Sequence, residues 1–93
     1  MNKIAFDVDG CLIWAEGMKG EPDTPRYEVI KLLHWFQKNG DTIYIWSGGG
    51  VDYARHWRDK LGLMGLIKAK GEFVPDIAVD DEVVELGIVN IKV

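Results

Sequence analysis

Apolar residues follow two different periods along the chain. Short apolar runs, rich in β-branched and aromatic residues, are bounded by glycine or polar residues, as is typical of buried strands. Longer stretches carry apolar residues at every third or fourth position with charged residues between them, as in amphipathic helices. The pattern predicts strands over residues 3–8, 42–46, 66–69, 76–79 and 88–92, and helices over residues 25–38 and 51–61.

The first predicted helix has recognisable signals at both ends. Thr24 and Pro25 are favoured as a helix cap and a first helical residue, and Asn39-Gly40 is a typical helix end. Residues 10–25 are rich in glycine, proline and aspartate. This composition predicts a long loop or flap between the first strand and the first helix.

The alternation of strands and helices indicates the α/β class. Strand–helix–strand units build parallel sheets, so we predict a three-layer, Rossmann-like fold with a mainly parallel sheet of about five strands. Residues 1–93 are expected to form a single domain, because either half of a 93-residue chain is too small for a core of its own.

Composition and charge narrow the class of protein. Hydrophobic residues make up 47% and charged residues 28%, so the chain is expected to fold rather than remain disordered. The net charge of −4 disfavours broad nucleic-acid binding, and no apolar run is long enough to span a membrane. The first apolar stretch ends at Asp7, too early for a signal peptide, and the single cysteine, Cys11, forms no internal disulfide. We therefore expect a cytoplasmic protein.

Acidic and hydroxyl residues follow three of the predicted strands. Asp7 and Asp9 end the first strand, Ser47 follows the second, and Asp80 and Asp81 follow the fourth. Ligands bind beyond the carboxyl ends of the strands in sheets of this kind. We therefore expect these side chains to converge at one edge of the sheet.

Such a cluster has a definite chemistry. Acids crowded into a small site need a cation, because like charges at close range raise one another's pKa. Mg²⁺ prefers oxygen ligands and commonly binds one or two carboxylates together with a phosphate. One carboxylate could then attack phosphorus while a second protonates the leaving oxygen. Ser47 and the backbone N–H groups of residues 48–50 could hold the phosphoryl oxygens.

Three segments resemble the motifs of one enzyme family. Residues 7–12 (D-V-D-G-C-L) match an Asp-x-Asp-Gly pattern after an apolar strand. Residues 43–48 (I-Y-I-W-S-G) match a strand that ends in serine or threonine, and residues 76–81 (D-I-A-V-D-D) match a strand that ends in an acidic pair. The chain thus resembles the haloacid dehalogenase-like superfamily of phosphatases, with the motifs in the family's order.

This resemblance implies a Mg²⁺-dependent phosphomonoester hydrolase that works through an aspartyl-phosphate. Asp7 would be the nucleophile and a metal ligand, and Asp9 would be the general acid and then base, with its backbone carbonyl on the metal. Asp80 would bind the metal directly, with Asp81 beside it through water. The implied phosphoryl-binding groups are the side chain of Ser47 and the backbone of Val8 and Gly48.

The family's lysine lies at a different place in this chain. Many short members carry it just before the fourth strand, where this sequence has Val74. The candidates are Lys68 and Lys70, and we favour Lys70 as the catalytic and substrate-binding lysine because Gly71 lets the chain turn there. Cys11 replaces the usual threonine or valine of the first motif, and a thiol is a weaker donor than a hydroxyl.

The chain has no room for the cap domain that many members of the family carry. The intervals after Gly10 and after Ser47 are too short to fold separately. An uncapped site is open, which in this family suits larger phosphorylated substrates, and the protein is expected to be a monomer or a homodimer.

Other hypotheses remain open from the sequence. The displaced lysine and the missing cap are also compatible with a weak or inactive member that binds phosphate or metal as an interaction module. A receiver-like phosphoacceptor domain uses similar residues, but its middle strand ends in aspartate rather than in a residue such as Ser47. Asp80 and Asp81 could instead begin a helix, and Trp14 could contact substrate or only pack.

Overall fold

Five parallel strands form one sheet in the computed structural model, which describes all 93 residues. This confirms the predicted α/β class and the parallel sheet. The order across the sheet is β3-β2-β1-β4-β5, with β1 in the centre. In chain order the elements are β1 (Lys3–Asp7), α1 (Tyr27–Lys38), β2 (Thr42–Trp46), α2 (Val51–Lys60), β3 (Leu66–Ile67), β4 (Ile77–Asp80) and β5 (Val89–Lys92).

Both helices pack against the same face of the sheet. Apolar side chains from the inner sides of α1 and α2 share one core with alternate residues of β1, β2 and β4, because successive strand residues point to opposite faces. Phe6 and Phe36 meet edge to face with ring centres 6.3 Å apart. Neither helix combines the length and the apolar content that crossing a membrane requires.

Loops rather than helices cover the second face of the sheet. Phe73, from the connection between β3 and β4, packs on Tyr44 and Trp46 with ring centres 4.7 Å and 5.6 Å away. Leu86, from the connection between β4 and β5, packs on the same small cluster. The third layer of this Rossmann-like fold is therefore made of two loops. The hypothesis that Asp80 and Asp81 begin a helix is wrong, since no helix lies between β4 and β5.

The first helix begins later than predicted. Its first residue is Tyr27 and its cap is Arg26. The Thr24 hydroxyl does not cap the helix but donates to the carbonyl oxygen of Glu21 at 2.6 Å. Pro25 forms an isolated bridge with Ile13. These local bonds keep residues 24–25 in the flap, so the helical signal of Thr-Pro is overridden.

The flap that follows β1 has a defined structure. Trp14 donates its backbone N–H to Thr24 at 2.9 Å and accepts from Asp23 at 3.0 Å, so the two arms of the flap are bonded together. The Arg26 guanidinium lies 4.6 Å from the Trp14 ring centre, and Gly20 lies so close that a β-carbon there would overlap the ring. Trp14 therefore packs within the flap and does not line the acidic cavity at the carboxyl ends of the strands.

Candidate active site

Three carboxylates meet at the carboxyl ends of neighbouring strands. Asp7 ends β1 and Asp80 ends β4, and these two strands pair directly. One oxygen from each of Asp7, Asp80 and Asp81 lies within 4.8 Å of the others. They open onto a cavity of about 360 Å³ lined by Asp7, Asp9, Ala15, Ser47, Gly48, Gly49, Lys70, Asp80, Asp81 and Glu82.

Lys70 joins the acids of the two strands. Its Nζ donates to Asp7 Oδ1 at 3.0 Å and to Asp80 Oδ2 at 2.9 Å. The φ of +82° at Gly71 shows that the chain turns through the left-handed region directly after this lysine. Lys68, the other candidate, forms an exposed ion pair with Glu72 at 3.4 Å. The structure thus brings Lys70, and not Lys68, to the acids.

Burial and mutual repulsion control the ionisation of the acids. Burial, followed by the charge of Asp80, raises the pKa of Asp7 from 3.8 to about 6, although the hydrogen bond from Lys70 opposes this. Burial and the hydrogen bond with Asp80 raise the pKa of Asp81. Burial lowers the pKa of Lys70, but its bonds to Asp80 and Asp7 outweigh that effect and leave its pKa raised. One ammonium group therefore faces three carboxylates.

This donor set fits a hard divalent cation. The three carboxylates offer only oxygen ligands, and the charge that Lys70 leaves unbalanced is negative. Mg²⁺ takes oxygen ligands of this kind and would neutralise the remaining charge. The carboxylate of Asp9 lines the same cavity but does not belong to the group of three. The side chain of Asp9 is therefore not one of the three grouped carboxylates. The resemblance likewise implies that Asp9 would contact the metal through its backbone carbonyl.

Ser47 lies at the entrance to α2 with its hydroxyl available. The residue is buried, and its Oγ accepts the Gly49 N–H at 3.0 Å. The hydroxyl donates to no group of the protein, and the Gly48 N–H has no acceptor. Gly50, with φ of +104°, then turns the chain into the first residue of the helix. Ser47 and Gly48 thus offer two free donors beside a helix N-terminus, where anions are favoured.

The loop after β1 offers further free donors. The Val8 carbonyl accepts the N–H groups of Cys11, Leu12 and Ile13 at 3.0–3.2 Å, which closes a tight turn. The N–H groups of Val8 and Asp9 have no acceptor in the protein. Successive free N–H groups in a turn bind anions. The Val8 side chain itself is buried in the core, so Val8 can contribute to the site only through its backbone.

Two contacts near the site had no signal in the sequence. Arg26 is buried and donates to the Gly10 carbonyl at 2.6 Å, which ties the acidic loop to the start of α1. Tyr53, on the first turn of α2, donates its hydroxyl to Asp9 Oδ1 at 2.6 Å. Burial and then this hydrogen bond raise the pKa of Tyr53 to about 12, so it stays protonated near neutral pH.

Cys11 has a structural position. It is fully buried, and its Sγ lies 3.6 Å from the Val79 carbonyl, within reach of a weak hydrogen bond between the first loop and β4. Burial, with the charge of Asp7 next, raises the pKa of its thiol well above the ordinary value. A thiol kept in its neutral form is a poor nucleophile.

Comparison with protein-family models, with curated proteins and with solved structures finds no match to the chain. What the site can do therefore follows from its own groups, which are three close carboxylates, one lysine, one hydroxyl and several free N–H groups around one cavity.

Gly10 lacks a side chain at the place where the carboxylate of Asp81 lies. It has φ of +75°, and a β-carbon there would overlap the carboxylate of Asp81. We expect Gly10→Ala to displace Asp81 and to weaken Mg²⁺ binding by about 10- to 100-fold, the range typical of disturbed ligand positioning. Isothermal titration calorimetry with MgCl₂ measures this effect.

Gly17→Ala is the matched control for this substitution. Gly17 has a similar φ of +84°, but no atom lies within 4 Å of an added β-carbon. The control should lose about 1 kcal/mol of stability through backbone strain and keep its Mg²⁺ affinity. Equal affinities in the two variants would show that Asp81 does not contribute to metal binding.

Proposed function

We propose that this protein is a Mg²⁺-dependent phosphatase that hydrolyses phosphate monoesters through an aspartyl-phosphate on Asp7, as its resemblance to haloacid dehalogenase-like phosphatases implies. The observation that carries the proposal is the pair of hydrogen bonds from Lys70 to Asp7 and Asp80 beside Asp81. Acids and a lysine from three separate segments meet at one cavity of about 360 Å³, which is large enough to admit a phosphate group.

Asp7 is the acid best suited to attack phosphorus. Lys70 binds its Oδ1, which leaves Oδ2 without a protein partner. Bound Mg²⁺ would supply the positive charge that keeps Asp7 ionised and attracts the phosphate. As the Asp7 oxygen bonds to phosphorus, the bond to the leaving oxygen breaks and Asp9 gives that oxygen a proton. Water then attacks phosphorus and gives a proton to Asp9, while the bond between phosphorus and the Asp7 oxygen breaks and releases Asp7 as a carboxylate with inorganic phosphate as product.

The remaining groups stabilise the charge on the transferring phosphoryl group. The free Ser47 hydroxyl and the unpaired N–H groups of Val8 and Gly48 are donors of the kind that bind phosphoryl oxygens. Lys70 adds a positive charge between the two metal-binding strands. Because these groups are already held by the fold, they need little rearrangement in the transition state.

The size of the opening favours a large substrate. Ala15 is the only residue of the flap that lines the cavity, so the flap leaves the entrance uncovered. A phosphorylated macromolecule or a long-chain phosphate ester could present its phosphate here without a cap to close over it. The contacts of Lys70 also favour catalysis over the alternative of an inactive interaction module, which rested partly on a displaced lysine.

The proposal is tested by hydrolysis of para-nitrophenyl phosphate with Mg²⁺ and with EDTA. We expect turnover with Mg²⁺, loss of turnover by at least about 10²-fold in EDTA, and recovery when Mg²⁺ is restored. Turnover that EDTA leaves unchanged would contradict a metal-dependent mechanism. Absence of turnover on aryl, alkyl and protein-bound phosphates would favour the interaction module.

A further inference from the structure

Tyr53 connects two loops of the site. It occupies the first turn of α2, and its hydroxyl crosses to Asp9 Oδ1 on the loop after β1, at 2.6 Å. Its ring packs against Gly49, where an added β-carbon would lie 3.2 Å from the ring. The Tyr53 side chain also packs against the main hydrophobic core, and this packing restricts the position of its hydroxyl. The distance is typical of a strong hydrogen bond from a hydroxyl to a carboxylate.

The Asp9 side chain is less constrained by burial and by hydrogen bonds than the side chains of Asp7 and Asp80. Asp7 and Asp80 are buried and share Lys70, whereas Asp9 is exposed and lies on a loop. Tyr53 is the only group that hydrogen-bonds its carboxylate. An exposed aspartate without such a bond populates several rotamers, so its oxygens have no single position from which to transfer a proton.

We propose that Tyr53 is a positioning residue that fixes the carboxylate of Asp9 for proton transfer, an inference that rests on the proposed phosphatase function. The hydroxyl of Tyr53 occupies Oδ1, so Oδ2 is the oxygen that carries the transferred proton. That proton passes from Asp9 to the leaving oxygen as the bond from phosphorus to this oxygen breaks. The proton returns to Asp9 from the water that attacks the aspartyl-phosphate.

This role predicts a dependence on the leaving group. A poor leaving group, such as an alkoxide, needs its proton as the bond breaks, whereas 2,4-dinitrophenolate leaves readily without one. A defect in the position of Asp9 should therefore lower kcat/KM, which reports formation of the aspartyl-phosphate, for alkyl or phenyl phosphate and leave kcat/KM for dinitrophenyl phosphate almost unaffected. General disorder in the site would slow all substrates alike.

The first experiment compares wild type, Tyr53→Phe and Tyr27→Phe on phenyl phosphate and on 2,4-dinitrophenyl phosphate. For Tyr53→Phe we expect kcat/KM on phenyl phosphate to fall about 10-fold, the scale of one lost hydrogen bond. On dinitrophenyl phosphate the fall in kcat/KM should be less than about twofold. Tyr27 is exposed and makes no side-chain hydrogen bond, so Tyr27→Phe should match wild type on both substrates.

The second experiment asks whether Tyr53 acts through Asp9. Asp9→Ala and the double variant Asp9→Ala with Tyr53→Phe are measured on phenyl phosphate. If Tyr53 acts only by positioning Asp9, its loss costs nothing further once the carboxylate is gone, and the two variants should have equal kcat values. Thermal unfolding of each variant confirms that it is folded.

Two results would overturn the role of Tyr53. One is an equal loss of kcat/KM for Tyr53→Phe on both substrates, which indicates a packing defect. The other is a full further loss in the Asp9→Ala background, which indicates an independent role. Failure of the proposed function is a different result, because wild type would then hydrolyse neither substrate. In that case NMR should still show a downfield tyrosine hydroxyl proton that both Tyr53→Phe and Asp9→Ala remove, if the contact itself is correct.

Discussion

Replacement of Asp7 by asparagine is expected to reduce phosphate release from para-nitrophenyl phosphate by at least about 10³-fold, since the nucleophile is removed. An asparagine amide has almost the same shape but does not attack phosphorus. It also leaves Ser47, Lys70 and Asp80 in their positions. The measurement is kcat with saturating Mg²⁺ for wild type and variant. A variant that keeps a tenth of the wild-type rate would show that another group forms the bond to phosphorus.

The same variant also tests the ionisation of the site in the absence of metal. The pKa of Asp7 is about 6 in the folded protein against an ordinary value of 3.8, so the folded state binds the proton more tightly than the unfolded chain does. Wild-type stability attributable to Asp7 is therefore full below about pH 4 and is lost as the pH rises to about 6.

Asparagine does not titrate, so the two proteins should diverge across this pH window. The shift of about two pKa units, at about 1.4 kcal/mol each, predicts that Asp7→Asn gains about 3 kcal/mol over wild type between pH 4 and pH 6. Urea unfolding in EDTA at several pH values measures the difference. If the difference in unfolding free energy does not change with pH, the pKa of Asp7 is not raised in the folded protein. Unfolding transitions of equal cooperativity at pH 4 would confirm that the variant is folded.

Replacement of Lys70 by methionine should have the second-largest effect. Methionine keeps most of the side-chain volume but removes the ammonium that binds Asp7 and Asp80. Loss of a preorganised donor to the transferring group typically costs about 10²- to 10³-fold in kcat, and we expect a loss in that range. The metal-free variant should also be less stable than wild type, because two buried carboxylates lose their cation.

Lys68→Met is the matched control for Lys70→Met. Lys68 is two residues away and forms only an exposed ion pair with Glu72, so its loss should change kcat by less than about twofold and stability very little. A large loss in Lys68→Met together with a small one in Lys70→Met would reverse the assignment of the lysine.

The position of the acids can be predicted from the sequence because it follows from strand geometry. Apolar runs that end in Asp7 and in Asp80 predict buried strands, and parallel strands bring their carboxyl ends to one edge. The structure brings both residues together with Asp81 as expected. Ser47 was accessible for the same reason, since it follows the strand β2 directly.

The contacts that complete the site were not accessible in this way. Tyr53 and Asp9 are 44 positions apart in the sequence. The amphipathic pattern of a helix does not indicate which of its polar side chains will hydrogen-bond to a distant loop. Arg26 has the appearance of an ordinary residue near a helix start, although it holds the Gly10 carbonyl. The choice between Lys68 and Lys70 also depended on the path of a loop, which apolar periodicity does not encode.

The sequence also does not predict which segments cover the second face of the sheet. The α/β pattern suggests helices on both faces, but the connections around β4 are too short and too irregular for them. Phe73 and Leu86 cover the face instead. Thr24-Pro25 failed as a helix start because the hydroxyl of Thr24 found a carbonyl within the flap. The first case follows from the length of the connections, and the second from a local hydrogen bond within the flap.

On the proposed mechanism, Asp7 carries the phosphoryl group during turnover. The most direct test is to quench the Mg²⁺-bound enzyme with borohydride during hydrolysis of para-nitrophenyl phosphate, which reduces an aspartyl-phosphate to homoserine, and to locate that change by peptide mass spectrometry. We expect homoserine at Asp7, dependent on both substrate and Mg²⁺. Steady phosphate release without homoserine, or with the change at Asp9 instead, would contradict it.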